Sequence, residues 1–265
     1  MFKKIISQDN LLIKHILTLE KARERKTHQQ FTVEGKREIS LAIQSGWEIQ
    51  NLLFCPDYFT TDEMEAFINK HHLQKADITE VSEKIFYKLT YRAQYAGMLA
   101  VVSSRELRIQ SLQLSGNPLI LILENVEKPG NIGAILRTCD AAAVDALLIC
   151  DAQTDIYNPN ICRSSLGALF TVPIALCSSE EAIRFCRNNR MEIVGSSLQT
   201  KAIYSEIDYT HPVALVMGAE AEGLSSEWTE HADHLVKIPM KGKVDSLNVS
   251  NAAAILIFEV VRQRG

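Results

Sequence analysis

Three segments in the C-terminal half of this 265-residue chain set glycine beside acids, amides and hydroxyls: ENVEKPGNIGAILR at 124–137, GAEAEGLS at 218–225 and IPMKGKVDSLNVSN at 238–251. Glycine, lacking a Cβ, lets bare backbone N–H and C=O groups approach a ligand, and a turn that opens a helix adds the positive end of the helix dipole. In the first segment Gly130, Asn131 and Gly133 could do this for an anion or a polar ligand. Arg137 follows six positions after Asn131. It has two readings, a guanidinium aimed at an oxyanion or phosphate, or a surface arginine paired with Asp140. Ser246 and Asn248 flank Leu247 where the chain must enter a helix, so each could orient a ligand or serve as an ordinary N-cap. Asp151 lies where the ribose-binding acid of a dinucleotide site would lie. That fingerprint needs G-x-G-x-x-G, however, and only G-x-x-G is present, so a nicotinamide oxidoreductase has weak support.

The other reactive side chains offer little. None of the seven histidines stands in an H-E-x-x-H pattern or beside a nucleophile. The six cysteines are irregularly spaced, contain no C-x-x-C, and sit mostly in apolar runs, so free buried thiols are expected and no metal site.

The elements that must position the three segments are legible in the hydrophobic pattern. Continuous apolar runs recur at PLILILENV, DALLIC, MEIVGSS, PVALVMG and HLVKIPM. They are separated by helical stretches at NIGAILRTCDAAA, CRSSLGALF and SSEEAIRFCRNN, the last with capping-box spacing between Ser178 and Glu181. Runs without strict alternation describe strands covered on both faces of a parallel sheet, which binds ligands beyond its carboxyl ends. A final apolar helix, NVSNAAAILIFEVVRQR, should be buried. The N-terminal part reads as a smaller α/β arrangement. It has an amphipathic helix over 10–26 with a basic end, a strand QFTVEG, a helix REISLAIQSG, a strand NLLFC, helices near 61–71 and 82–89, and a strand GMLAVV. The polar stretch SSRELRIQSLQLSGNP at 103–118 reads as a linker.

At 46% hydrophobic and 23% charged, the chain is neither disordered nor fibrous. No run reaches the roughly 18 apolar residues that span a bilayer, and MFKKIISQDNLLIKH lacks the features of a secretory signal, so a cytoplasmic protein without a membrane partner is expected. The net charge of −4 conceals an asymmetry: residues 1–110 carry 16 Lys and Arg against 14 Asp and Glu, and residues 111–265 carry 12 against 18. A basic arm on an acidic body suggests that polyanion contact begins at the N-terminus, although a solvated helix face would look the same.

Taken in order, PGNIGAILR at 129–137, VMGAEAEGL at 216–224 and IPMKGKVDSLNVS at 238–250 resemble the motifs of the SpoU (TrmH) family of RNA ribose 2′-O-methyltransferases, within the SPOUT superfamily. KHILTLEKARERK followed by FTVEGKRE is similar to the family's accessory substrate-binding domain. Two positions depart from the pattern: Lys128 stands where an acid is usual, and Ala141–Ala143 replace an aromatic-glycine approach to the next strand.

The resemblance implies an α/β fold with two domains. Residues 1–108 would form a small RNA substrate-binding domain, and residues 109–265 a parallel-sheet methyltransferase domain tied in a deep trefoil knot, a rare topology. It implies S-adenosylmethionine as cofactor, a ribose 2′-hydroxyl of structured RNA as acceptor, and a homodimer formed through the knotted domain. Ribosomal RNA is favoured because of the N-terminal module; the alternatives are transfer RNA, or a non-catalytic RNA-binding protein of the same fold. Carried over by motif position, Gly218, Gly223, Ile238, Met240 and Leu247 would hold the cofactor. Arg137, Asn131, Glu220, Ser246 and Asn248 would form the catalytic set, and Lys21, Arg23, Arg25, Lys26, Lys36 and Arg37 would meet RNA.

Overall fold

The computed structural model describes residues 2–73, 77–91, 97–219 and 222–265. The chain divides into two compact units: Met1–Arg105 with Ile156–Thr171, and Glu106–Asp155 with Val172–Gly265. No described helix is long and apolar enough to cross a membrane.

The first unit runs β1 (Lys3–Ile5), α1 (Leu11–Thr18), α2 (Ala22–His28), β2 (Gln30–Glu34), α3 (Lys36–Gln44), β3 (Ile49–Phe54), α4 (Thr61–His71), β4 (Asp77–Val81), α5 (Glu83–Leu89) and β5 (Met98–Ser103). Among the described residues its sheet has the order β1-β4-β3-β5-β2, with β5 antiparallel to both its neighbours and the other pairs parallel. Ile13, Ile16 and Leu19 pack against Leu53, Val81, Ile85, Phe86 and Leu99. The helix expected over 10–26 is two helices. Asn10 caps the first by accepting from the Leu12 N–H at 2.9 Å. Past Thr18 the buried Arg25 guanidinium donates at 2.8 Å to the Leu19 and Glu20 carbonyls, oxygens that a continuing helix would have paired along its own backbone. Arg25, expected to meet RNA, is thus corrected to an internal clamp.

The second unit opens with β6 (Leu119–Glu124), α6 (Pro129–Ala141) and β7 (Ala146–Cys150). The chain then contributes α7 (Pro159–Ser164) and α8 (Ala168–Thr171) to the first unit. The helix expected through CRSSLGALF is broken there by Leu166 in the left-handed region at φ 50°. Aromatic packing holds this excursion: Tyr157 stacks on Phe31 with ring centroids 4.5 Å apart, and Phe170 meets Trp47 edge-on at 5.4 Å. The second unit resumes with β8 (Ile174–Cys177), α9 (Ser179–Asn188), β9 (Glu192–Ser196), β10 (Val213–Met217), α10 (Ser226–His231), β11 (His234–Val236) and α11 (Val249–Arg264).

These strands form a wholly parallel sheet, β11-β9-β10-β6-β7-β8 among the described residues. Every residue of β6, β7 and β10 is buried, which is why these strands read as unbroken apolar runs. The capping box at Ser178 and Glu181 is formed as its spacing predicts. At the far end of α11, Arg264 donates to the carbonyls of Tyr209, Asn117, Pro118 and His211, fastening that helix to the amino-terminal edge of the sheet.

Replacing Arg25 by alanine leaves the buried Leu19 carbonyl and the half-buried Glu20 carbonyl without this donor, a loss of about 1–3 kcal/mol. Urea denaturation should show a lowered midpoint for Arg25→Ala; an unchanged midpoint would show that water replaces the guanidinium at no cost.

Candidate active site

The carboxyl ends of β9, β10 and β11 close around a cavity of about 310 Å³. Its walls come from Ser196–Gln199 after β9, from Met217–Ala219 and Glu222–Leu224 after β10, and from the chain that runs from Lys237 to the start of α11. Gly218, Gly223, Ile238, Met240 and Leu247, the five residues expected to hold a cofactor, all line it, and so does Ser246. Glu220 lies outside the described residues.

The cavity depends on a backbone crossing. After β10 the chain doubles back, with an antiparallel bridge between Ala219 and Gly223 and the Gly223 N–H donating to the Ala219 carbonyl at 3.0 Å. A Cβ at Gly218 would lie 2.2 Å from the carbonyl carbon and oxygen of Gly223, a separation no side chain tolerates. The fold is held from the neighbouring strand by Glu124, buried at the end of β6, which accepts from the Ser225 N–H at 2.9 Å.

A second feature joins the first and third segments. The Asn248 Nδ2 donates to the Asn131 Oδ1 at 3.1 Å, bringing the amino ends of α6 and α11 together. Asn248 also serves as an N-cap, since its Oδ1 accepts from the Ser250 N–H at 2.9 Å. The two readings open at this position are therefore compatible, and Asn248 lies in sequence between two lining residues, Leu247 and Val249. The Ser246 hydroxyl donates to Asp245 at 3.2 Å. Arg137 is exposed on α6 and does not line this cavity, and among the described residues its guanidinium meets no hydrogen-bond or ion-pair partner, Asp140 included.

Other candidate chemistry is accounted for structurally. Asp151, exposed, accepts from the N–H and the hydroxyl of Ser179 at 3.2 and 2.8 Å, and the buried Trp228 donates to the same hydroxyl, so this acid anchors the start of α9. All six cysteines are free, and burial pushes the Cys139 and Cys186 thiols up to about 12, far from nucleophilic thiolates. Lys21, Arg23, Lys26, Lys36 and Arg37 are exposed in the first unit. Reasoning from sequence passed over Ser196–Gln199 and Glu124. The signal was available in MEIVGSS, where two serines follow an apolar strand at its ligand-binding end.

Residues 118–258 match the SpoU rRNA Methylase family, and residues 10–100 match the MRM3-like substrate binding domain. The chain is 30% identical over 246 residues to a 23S rRNA (uridine(2479)-2′-O)-methyltransferase of Streptomyces viridochromogenes, covering 89% of this chain and 83% of that one. It is 27% identical to the 23S rRNA (guanosine(2553)-2′-O)-methyltransferase RlmP of Bacillus subtilis, covering 97% of this chain and 99% of the relative. The crystal structure of an AdoMet-bound rRNA methyltransferase from Sinorhizobium meliloti superposes with a TM-score of 0.90 at 29% identity, over 98% of each chain. With the family's span covering the whole cavity and both asparagines of the pair, the chain belongs to the SpoU rRNA methylase family.

Proposed function

We propose that this protein transfers a methyl group from S-adenosylmethionine to a ribose 2′-hydroxyl of ribosomal RNA. The observation that carries the reading is the cavity behind Gly218, walled by backbone and joined in sequence to the Asn131–Asn248 pair. The cavity suits this cofactor. Met217, Leu224, Ile238 and Leu247 offer apolar contact for an adenine ring, and its charged lining residues, Glu222 and Lys237, complement an ammonium and a carboxylate. A methyl at Gly223 would enter open space, so the cleft there is kept free by the absence of a side chain. Gly218, Gly223, Ile238, Met240 and Leu247 hold the cofactor in this account, through backbone groups and apolar contact.

Bound there, S-adenosylmethionine would supply a sulfonium methyl to the 2′-oxygen, the S–CH3 bond breaking to a neutral thioether and the hydroxyl proton passing to water. The protein's share is positioning, which can be worth about 7–11 kcal/mol. Asn131 and Asn248 orient the ribose, and Ser246 offers a hydroxyl at the cavity wall. Arg137 stabilises developing charge on the 2′-oxygen or grips the adjacent phosphate through its paired N–H donors. Because Arg137 does not line the cavity of its own chain, this reading includes a homodimer in which it completes the partner's site. Exposed Phe258 on α11, which packs against α6, supports that arrangement. Residues 109–265 would form the knotted methyltransferase domain, in which the segment from Ile238 threads a loop. Support comes from the cavity that this segment shares with Ser196–Gln199. Residues 1–108 would bind the RNA, with Lys21, Arg23, Lys26, Lys36 and Arg37 meeting its phosphates. The site of action is the cytoplasm.

Three variants test this account. Arg137→Ala should lower kcat for methyl transfer about 10²–10³-fold while calorimetry finds S-adenosylmethionine affinity unchanged; lost affinity would give Arg137 a structural role instead. Asn248→Asp keeps the capping oxygen and removes the donor to Asn131, so stability should fall by about 1–3 kcal/mol with the chain still folded, and kcat should fall with it; wild-type kcat in the folded variant would leave Asn248 a cap alone. Gly218→Ala should weaken S-adenosylmethionine binding about tenfold or more, since overpacking costs about 1–3 kcal/mol, and wild-type affinity would mean the cofactor binds elsewhere.

A further inference from the structure

The first unit contains a second cavity, also of about 310 Å³, whose described lining belongs entirely to that unit. At its rim Tyr91 is 77% exposed, an unusual position for a large aromatic ring. The ring is nonetheless tightly organised. The Arg163 guanidinium lies over it, 4.7 Å from the centroid. The Tyr91 N–H donates to both oxygens of Glu34, at 3.1 and 3.2 Å, and Glu34 in turn pairs with Arg163 at 3.4 Å. Arg163 also donates to the Asn160 Oδ1 at 2.5 Å. One half-buried carboxylate thus fixes both the backbone of the tyrosine and the cation above its ring. Within the cavity wall the Thr32 hydroxyl and the Asn158 side-chain N–H groups have no hydrogen-bond partner among the described residues, while the Asn158 Oδ1 is engaged by the Asn160 N–H.

The approach to this rim has a pattern of its own. Over KIFYKLTY, residues 84–91, α5 buries Ile85 and Phe86 and leaves Lys84, Tyr87 and Lys88 exposed, with Tyr87 at 70%. Two cations thus alternate with two exposed aromatic rings. Cations that follow a phosphate backbone, interleaved with rings on which bases stack, are what a single-stranded nucleic acid requires. An unpaired RNA base is recognised by stacking on an aromatic or guanidinium plane and by hydrogen bonds to its edge, and this rim offers both planes and unpaired polar groups.

We infer that this cavity receives one unpaired nucleotide of the RNA, its base stacked at Tyr91 and its flanking phosphates met by Lys84 and Lys88. The inference rests on the RNA-methyltransferase reading and adds to it a specificity element that senses single-stranded RNA. Arg163 and Glu34 are positioning residues that hold the ring ready.

The test uses the full chain and ribosomal RNA purified from cells lacking this gene. Tyr91→Ala should raise the KM for RNA about thirtyfold, the middle of the range for loss of one stacked base, with kcat and S-adenosylmethionine affinity retained. Tyr91→Phe, which keeps the ring, should behave as wild type. Tyr91→Trp should show an emission, beyond that of Trp47 and Trp228, that the RNA quenches. A wild-type KM in Tyr91→Ala, or a fall confined to kcat, would overturn the inference and leave the function standing. If the wild-type protein transfers no methyl group, the functional reading fails by itself. Quenching of Tyr91→Trp would then still uphold the stack, and its absence would overturn that as well.

Discussion

Two stretches of backbone meet at Gly218 with no space for a single methyl group between them, and the cavity exists because they do. The turn from Ala219 to Gly223 can close this tightly only on a rigid base. That base is supplied by β6 and β10, paired in parallel and buried along their whole length. Glu124 at the end of β6 then holds the Ser225 N–H, so the returning limb of the turn is tied to the strand beside the one it left. A wall built of main chain presents fixed donors and acceptors at close range, with none of the rotamer freedom that side chains would bring. Binding a polar, flexible small molecule is what such a wall does well.

The asparagine pair carries this rigidity from the cavity to the place where an acceptor would lie. Asn248 caps a sixteen-residue helix and reaches Asn131 near the start of α6, so one side chain both ends the loop that lines the cavity and aligns the helix bearing Arg137. This half-buried amide pair loses its value when either partner is replaced. The separation of Arg137 from its own cavity is the consequence of its place two turns along α6, and it makes the surface of α6 and α11 the natural seat of a second copy in the functional account.

Much of the second unit was legible because its central strands obey one simple rule. Strands covered on both faces must be apolar throughout, and their glycine-bearing exits mark where ligands go, so the residues that converge on the cavity could be named from three segments. The first unit was harder to read. β1 and β4 are short and half polar, with Lys3, Lys4, Asp77 and Glu80 outside the core, and they carry no periodic signal of their own. Arg25 looked like one more cation in a basic helix, because nothing local reveals that its guanidinium turns back onto the Leu19 and Glu20 carbonyls. The return of Ile156–Thr171 to the first unit depends on Phe31 and Trp47, more than a hundred residues away, and distant aromatic packing leaves no trace in hydrophobic spacing. Asp151 shows the opposite error: at the right distance for a ribose acid, it is instead the acceptor for Ser179.

The most direct measurement is photo-crosslinking of methyl-labelled S-adenosylmethionine to the intact protein, followed by peptide mapping of the label. The account places the label on peptides containing residues 196–199, 217–224 or 238–249, with unlabelled cofactor competing it away. Label confined to other peptides, or incorporation that unlabelled cofactor does not suppress, would contradict the claim that the crossing at Gly218 builds the cofactor site.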